Sequence, residues 1–155
     1  MAELPTREQD RHWLGEAIAL SRNCPPSTTA FSVGAIVVSG EGVAVATGYS
    51  RETDPHDHAE EIALRKLGDD EPGLAGATIY TSLEPCSARA SRPRTCTELI
   101  LAAGIPRVVF AWREPSIFVN CEGAEILMKA GVEVVELADL AHVVRSINQH
   151  LLEPS

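Results

Sequence analysis

The stretch Thr95-Cys-Thr-Glu-Leu-Ile-Leu-Ala-Ala-Gly-Ile-Pro-Arg-Val-Val-Phe-Ala111 decides the fold. Thr95 followed three residues later by Glu98 is a capping box, so a helix starts at Cys96 and runs through about Ala103. Gly104-Ile-Pro106 ends it. Arg107-Val-Val-Phe-Ala111 is then a nearly continuous apolar run, the pattern of a strand covered on both faces. A helix followed by a buried strand is the repeating unit of an α/β sheet.

The same alternation extends in both directions. Upstream, Gly76 leads into the strand Ala77-Thr-Ile-Tyr-Thr81, which ends at Ser82-Leu-Glu-Pro-Cys86, and an Arg/Pro-rich loop follows. Downstream, Glu114-Pro-Ser opens a loop, a helix runs from about Gly123 to Ala130, and Val132-Glu-Val-Val135 is the last strand. Asp139 is placed to cap a terminal helix to about Leu152, with Leu140, Val143, Val144, Ile147 and Leu151 on its apolar side.

The first half differs. Thr6 and Gln9 make another capping box, opening a helix from about Arg7 to Arg22 whose stripe is Trp13, Leu14, Ala17, Ile18 and Leu20. Phe31 to Val38 and Val43 to Tyr49 flank the turn Gly40-Glu-Gly42 and form a hairpin. Helical spacing returns at His58 with Ala59, Ile62, Ala63 and Leu67, and Asp57 is placed to cap that helix. The order is α-β-β-α-β-α-β-α-β-α. It predicts an α/β three-layer α-β-α sandwich with a five-stranded mixed sheet, antiparallel at the hairpin and parallel after it.

Length and composition bound the function. The chain has 155 residues, 45% hydrophobic and 23% charged, which suits one globular domain over residues 1–155. No apolar run approaches the roughly 20 residues that span a bilayer, and the N-terminus lacks a secretory core, so the expectation is a cytoplasmic protein. The net charge of −9 disfavours nucleic-acid and membrane-surface binding. Arg89, Arg92 and Arg94 are a local exception that could meet one small anion. Four cysteines in such a chain favour metal or catalytic use of some of them over disulfides.

Chemistry concentrates at two helix starts. His58 and Glu60 open one helix, while Cys86 and Cys96 bracket the entrance to the next. Helix N-termini stabilise thiolates, and a histidine with two cysteines is a borderline-soft set of the kind that holds Zn²⁺. Three protein ligands leave the fourth position open, as in a catalytic zinc site. Glu60, two residues from the histidine, is expected to sit beside the metal without ligating it. His56 reads as a surface loop histidine, and Cys24 and Cys121 as structural thiols.

His58-Ala59-Glu60, then Pro85-Cys86 and a later cysteine, resembles the zinc-dependent cytidine deaminase superfamily. Position 89 is arginine where most members close a Cys-x-x-Cys. Ser82-Leu-Glu-Pro-Cys-Ser87 and Arg92-Pro-Arg-Thr-Cys96 are instead similar to the deaminase domain of bacterial riboflavin-biosynthesis enzymes. So are Leu101 to Val109, Glu114-Pro115 and Lys129 to Val134. The likeness covers roughly residues 7 to 136. The insert between the cysteines is one residue longer than that family's, Ala30-Phe31-Ser32 replaces its Asn-Pro, and Ala88 replaces the histidine after Cys-Ser.

This resemblance implies a cytidine deaminase-like fold, and the expectation is a single deaminase domain that departs from the family in having no reductase domain fused to it. It implies a zinc aminohydrolase with His58, Cys86 and Cys96 as ligands and Glu60 as the proton-transferring residue. Ala59, Ser82, Glu84, Arg92 and Asn120 are the implied substrate contacts, with Arg92 at a phosphate. The substrate is a small heterocycle, foremost the phosphoribosylated diaminopyrimidine of riboflavin synthesis. Another nucleobase, nucleoside or nucleotide is the alternative, and a non-catalytic zinc-stabilised interaction module is the reading of another class. A homodimer or higher homo-oligomer is implied as well.

Overall fold

A computed structural model of the chain describes residues 5–67, 74–87, 94–113 and 122–152. The capping box at Thr6 forms as its sequence requires: the Gln9 amide donates to Thr6 Oγ1 and the Thr6 amide to Gln9 Oε1. Helix α1 (Arg7–Ser21) follows. Strands β1 (Gly34–Val38) and β2 (Ala44–Tyr49) make the hairpin. After α2 (Ala59–Leu67) come β3 (Thr78–Leu83), α3 (Cys96–Ala103), β4 (Arg107–Trp112), α4 (Gly123–Lys129) and β5 (Glu133–Glu136). Helices α5 (Ala141–Ile147) and α6 (Gln149–Leu152) close the described chain. No helix among the described residues is long and apolar enough to cross a membrane.

The sheet order is β2-β1-β3-β4-β5. β1 runs antiparallel to both β2 and β3, and β3, β4 and β5 are parallel. Strand alternation divides the core in two. Ile36, Val38, Tyr80, Val109 and Ala111 face Leu14, Ala17, Ile18 and Val144 of α1 and α5. Val37, Ile79 and Val108 face Ala63, Ile100 and Leu127 of α2, α3 and α4. The central strands are therefore apolar at successive positions because both faces are covered.

Several local readings change in three dimensions. β3 continues through Ser82 and Leu83 because Leu83 pairs with Trp112, so both parallel strands run longer than their apolar cores. One carboxylate oxygen of Asp57 turns back onto the loop that precedes α2. It accepts from the Thr53 amide, the Thr53 hydroxyl and the Asp54 amide, closing the loop before His58. The His58 amide turns to Glu61 Oε1 at 3.2 Å.

Asp139 does not cap the terminal helix. It lies in a 3-10 turn (Ala138–Leu140) and pairs with Arg11 of α1. That helix also divides at Asn148, a fully buried side chain. Asn148 Oδ1 accepts from the Ser32 amide at 2.7 Å, and Nδ2 donates to the carbonyls of Ser32 and Val144. The segment before β1 is thus fastened to the C-terminal helices.

Arg107 is not part of an apolar strand start. It is buried and donates through both Nη atoms to Asp10 at 2.7 Å and through Nε to Glu133 at 2.8 Å. Tyr80 Oη donates to the same Asp10. Each buried charge is paired and hydrogen-bonded, the condition under which such groups are tolerated inside.

One close approach sets the height of α2 over the sheet. A Cβ at Gly48 would stand 2.4 Å from the Ala59 carbonyl and 2.7 Å from the Ala63 amide, both backbone atoms. Gly48→Ala is expected to cost about 1–3 kcal/mol through overpacking. It should also lower zinc occupancy, since Ala59 lies between His58 and Glu60. Denaturant unfolding with metal analysis of the purified variant checks both effects, and an unchanged midpoint would refute the first.

Candidate metal centre and catalytic site

Three elements converge to build the site. The turn before α2 supplies His58, and the first turn of α2 supplies Glu60. The exit of β3 supplies Cys86, and the first residue of α3 is Cys96. The capping box at Thr95 forms with both of its hydrogen bonds to Glu98, which starts α3 where the sequence places it. α3 in turn holds Cys86. The Cys96 amide donates to Cys86 Sγ at 3.2 Å, and the Thr97 amide and hydroxyl both donate to the Cys86 carbonyl.

His58 Nδ1 lies 3.6 Å from Cys86 Sγ and 3.3 Å from Cys96 Sγ. The three donor atoms all fall within 4.8 Å of one another, the only such group of potential ligands among the described residues. A tetrahedral zinc with Zn–N of about 2.0 Å and Zn–S of about 2.3 Å sets N–S edges of about 3.5 Å. The nitrogen and sulfurs already sit at those edges, so the donor set and its spacing fit zinc.

Electrostatics agree with that use. Hydrogen bonding with Cys96, against the opposing effect of burial and with help from His58, brings the Cys86 thiol down to about 4. A thiolate is the form that ligates metal. Burial pushes the Glu60 carboxyl up to about 7, partly checked by His58. A carboxyl that exchanges its proton near neutrality is suited to general acid–base work.

The expected substrate contacts separate into groups. Ala59 is fully buried with Phe31, Val33, Ala35 and Leu83. Ser82 is fully buried, and its Oγ accepts from the Gly34 amide, tying β3 to the start of β1. The Glu84 carboxylate accepts from the Ala124 amide at 3.0 Å, while its own amide donates to the Trp112 carbonyl. A Cβ on Gly123 would stand 1.9 Å from the Pro85 carbonyl, so α4 docks directly on this turn. Ser82 and Glu84 thus hold the frame of the site with their side chains. Arg89, Arg92, Asn120 and Cys121 lie outside the described residues.

His56 is exposed beside Asp54 and takes no part in the ligand group. Cys24 Sγ points at the Val33 carbonyl, 3.5 Å away. Sequence reasoning missed Asn148 and Asp10, although both had a signal. Asn148 follows Val144 by four residues on the apolar stripe of the terminal helix, and Asp10 precedes Leu14 by four on that of α1. A polar residue inside an apolar stripe marks a buried hydrogen-bonded group. Trp112, edge-on to Phe31 at 5.7 Å, had no such signal.

Known proteins match this arrangement. Residues 7–112 fit the family model of the cytidine and deoxycytidylate deaminase zinc-binding region. The diaminohydroxyphosphoribosylamino-pyrimidine deaminase of Schizosaccharomyces pombe is 44% identical over 123 residues, which are 78% of this chain and 30% of that protein. Riboflavin biosynthesis protein RibD of Escherichia coli is 37% identical over 128 residues, 81% of this chain and 33% of that one. The chain therefore spans about a third of the length of these curated relatives.

Among solved structures, Acinetobacter baumannii RibD superposes with a TM-score of 0.73 at 30% identity, covering 92% of this chain and 38% of that one. The Aspergillus oryzae Rib2 deaminase in complex with DARIPP gives 0.72 at 26% identity, covering 92% and 89%. The fold, the donor set and these likenesses agree: the chain belongs to the cytidine and deoxycytidylate deaminase family and carries its zinc-binding region.

Proposed function

We propose that the chain is a zinc-dependent aminohydrolase acting on a phosphoribosylated diaminopyrimidine, the deamination step of riboflavin synthesis. The observation that carries this reading is a buried carboxyl, Glu60, two residues from His58, whose Nδ1 stands 3.6 and 3.3 Å from two cysteine sulfurs. The names of the relatives support the substrate class, which the ligand set alone leaves open.

His58, Cys86 and Cys96 hold the metal. Zinc, when bound there, supplies Lewis-acid activation that brings the pKa of a water toward about 7. Glu60 would take one proton from the attacking water and pass it to the ring nitrogen as the oxygen bonds to the amine-bearing carbon, then move the second proton from that oxygen to the departing amine. Ammonia leaves, and a carbonyl remains on the ring. The backbone of Ala59 and of the Ser82 to Pro85 segment lines the ring edge, Arg92 takes the phosphate, and Asn120 meets the substrate. The burial of Glu60 argues against a purely structural zinc module, which has no use for a carboxyl held out of water. Assembly into a homo-oligomer belongs to the same proposal, and the exposed Ile126 and Met128 of α4 are compatible with it.

The test is ammonia release across aminopyrimidines, aminopurines and cytosine compounds, each with and without a 5′-phosphate. The phosphoribosylated diaminopyrimidine is expected to give the highest kcat/KM, and its dephosphorylated form to lose at least about tenfold, the equivalent of one charge-assisted hydrogen bond. Turnover confined to cytosine nucleotides would replace the substrate class and keep the chemistry. No ammonia from any of them, with zinc bound, would leave the module.

A further inference from the structure

At the C-terminal ends of β3 and β4, beside the turn that carries Cys86, stands an aromatic pair that the metal site does not use. In the parallel ladder Leu83 lies opposite Trp112, so the two side chains share one face of the sheet. Leu83 packs with Phe31, Val33 and Ala59, the last of which lies between His58 and Glu60. That face is the one on which the candidate metal centre is built. Trp112 packs against the same cluster, its ring centroid 5.7 Å from that of Phe31 and the two planes at 78°.

Burial separates the members of this cluster. Phe31, Ala59 and Leu83 are buried, whereas Trp112 is only half-buried, so part of its indole stays open at the edge of the cluster. Phe31 fixes the plane of that indole, because edge-to-face contact is a preferred geometry for aromatic pairs. Leu151 and Leu152 of α6 support the cluster from the C-terminal helices. The Trp112 carbonyl accepts from the Glu84 amide at 2.9 Å, two residues before Cys86. An aromatic surface held in one plane and anchored next to the ligand-bearing turn offers a flat heterocycle a stacking partner at little cost in ordering.

We propose that Trp112 is a specificity-determining residue of this site, its indole forming the wall on which the flat ring of the substrate lies. The inference rests on the deaminase reading and adds to it the residue that selects a planar ring. Trp112 takes part in no proton transfer. Its stacking strengthens ground state and transition state alike, so it acts on KM and leaves kcat. It meets the ring and not the phosphate, so it acts equally on substrates with and without a 5′-phosphate.

The chain has two tryptophans, so Trp13→Phe leaves Trp112 as the sole indole reporter. In zinc-loaded Trp13→Phe/Glu60→Gln, which should bind the phosphoribosylated diaminopyrimidine without consuming it, that substrate is expected to quench Trp112 emission saturably. With Glu60 restored, Trp112→Leu should raise KM by about tenfold or more, the size of a base–aromatic stack. Its kcat should stay within about twofold and its zinc content unchanged, since the backbone bond to Glu84 survives the substitution. Trp112→Phe should recover most of the loss, because it restores a ring. Should the leucine variant fold poorly, the fluorescence titration decides, because it leaves residue 112 intact.

Emission that ignores the substrate, in a protein whose Glu60 parent turns that substrate over, overturns the role of Trp112 and leaves the deaminase reading standing. An unchanged KM in Trp112→Leu does the same, with or without loss of zinc, since the indole would then only brace the Leu83 to Cys86 segment. A zinc-loaded parent that releases no ammonia from this substrate defeats the reading on which the inference rests, and the inference with it.

Discussion

Glu60→Gln is expected to keep zinc and fold and to lose turnover by about 10²–10⁴-fold, the usual contribution of a positioned acid–base group. Glutamine has the same shape, but it cannot carry a proton to and fro. Glu60 is 4% exposed, so no bulk water stands in for it. Stability should not fall, because burial already opposes the charge that the substitution removes. Zinc content, thermal unfolding and ammonia release on one preparation make the check. Retained turnover would remove Glu60 from the mechanism, and loss of zinc would make it part of the metal's support.

Cys96→Ala should act at the other level and abolish zinc binding together with turnover. Cys96 is fully buried at the first position of α3, and its sulfur lies 3.3 Å from His58 Nδ1. Removing it leaves two ligands, below the three that catalytic zinc sites use. Its amide still donates to Cys86 Sγ, so α3 itself should persist. Because metal binding free energy is also folding free energy, the midpoint of thermal unfolding should fall relative to the zinc-loaded parent and match that of the chelated parent. Metal analysis and calorimetry decide this. A variant that retains one zinc per chain would show that Cys96 is not a ligand.

Different kinds of contact hold the candidate ligands and Glu60 in place. The ligands are brought together by backbone: the Cys96 amide and Thr97 hold Cys86, and Gly48 lets α2 settle on β2. Glu60 is fixed mainly by being buried among side chains. Changes at backbone contacts should therefore register first in metal content, and changes around Glu60 in kcat.

The sequence by itself determined whatever depends on neighbours a few residues apart. Both capping boxes, the hairpin, the alternation that makes the later strands parallel, and the His58, Glu60, Cys86 and Cys96 constellation are local patterns with local causes. The tertiary structure alone decided the contacts between distant polar groups. Arg107 meets Asp10 across 97 residues and Asn148 meets Ser32 across 116. Glu84 takes the start of α4, while Asp139 leaves the helix it precedes for Arg11. A carboxylate or amide pairs with whichever donor the fold brings near, and spacing along the chain carries no record of that choice. The candidate zinc ligands were legible because two helix N-termini announce themselves locally; the burial of Glu60 was not, because a carboxylate at a helix start looks the same whether it is solvated or covered.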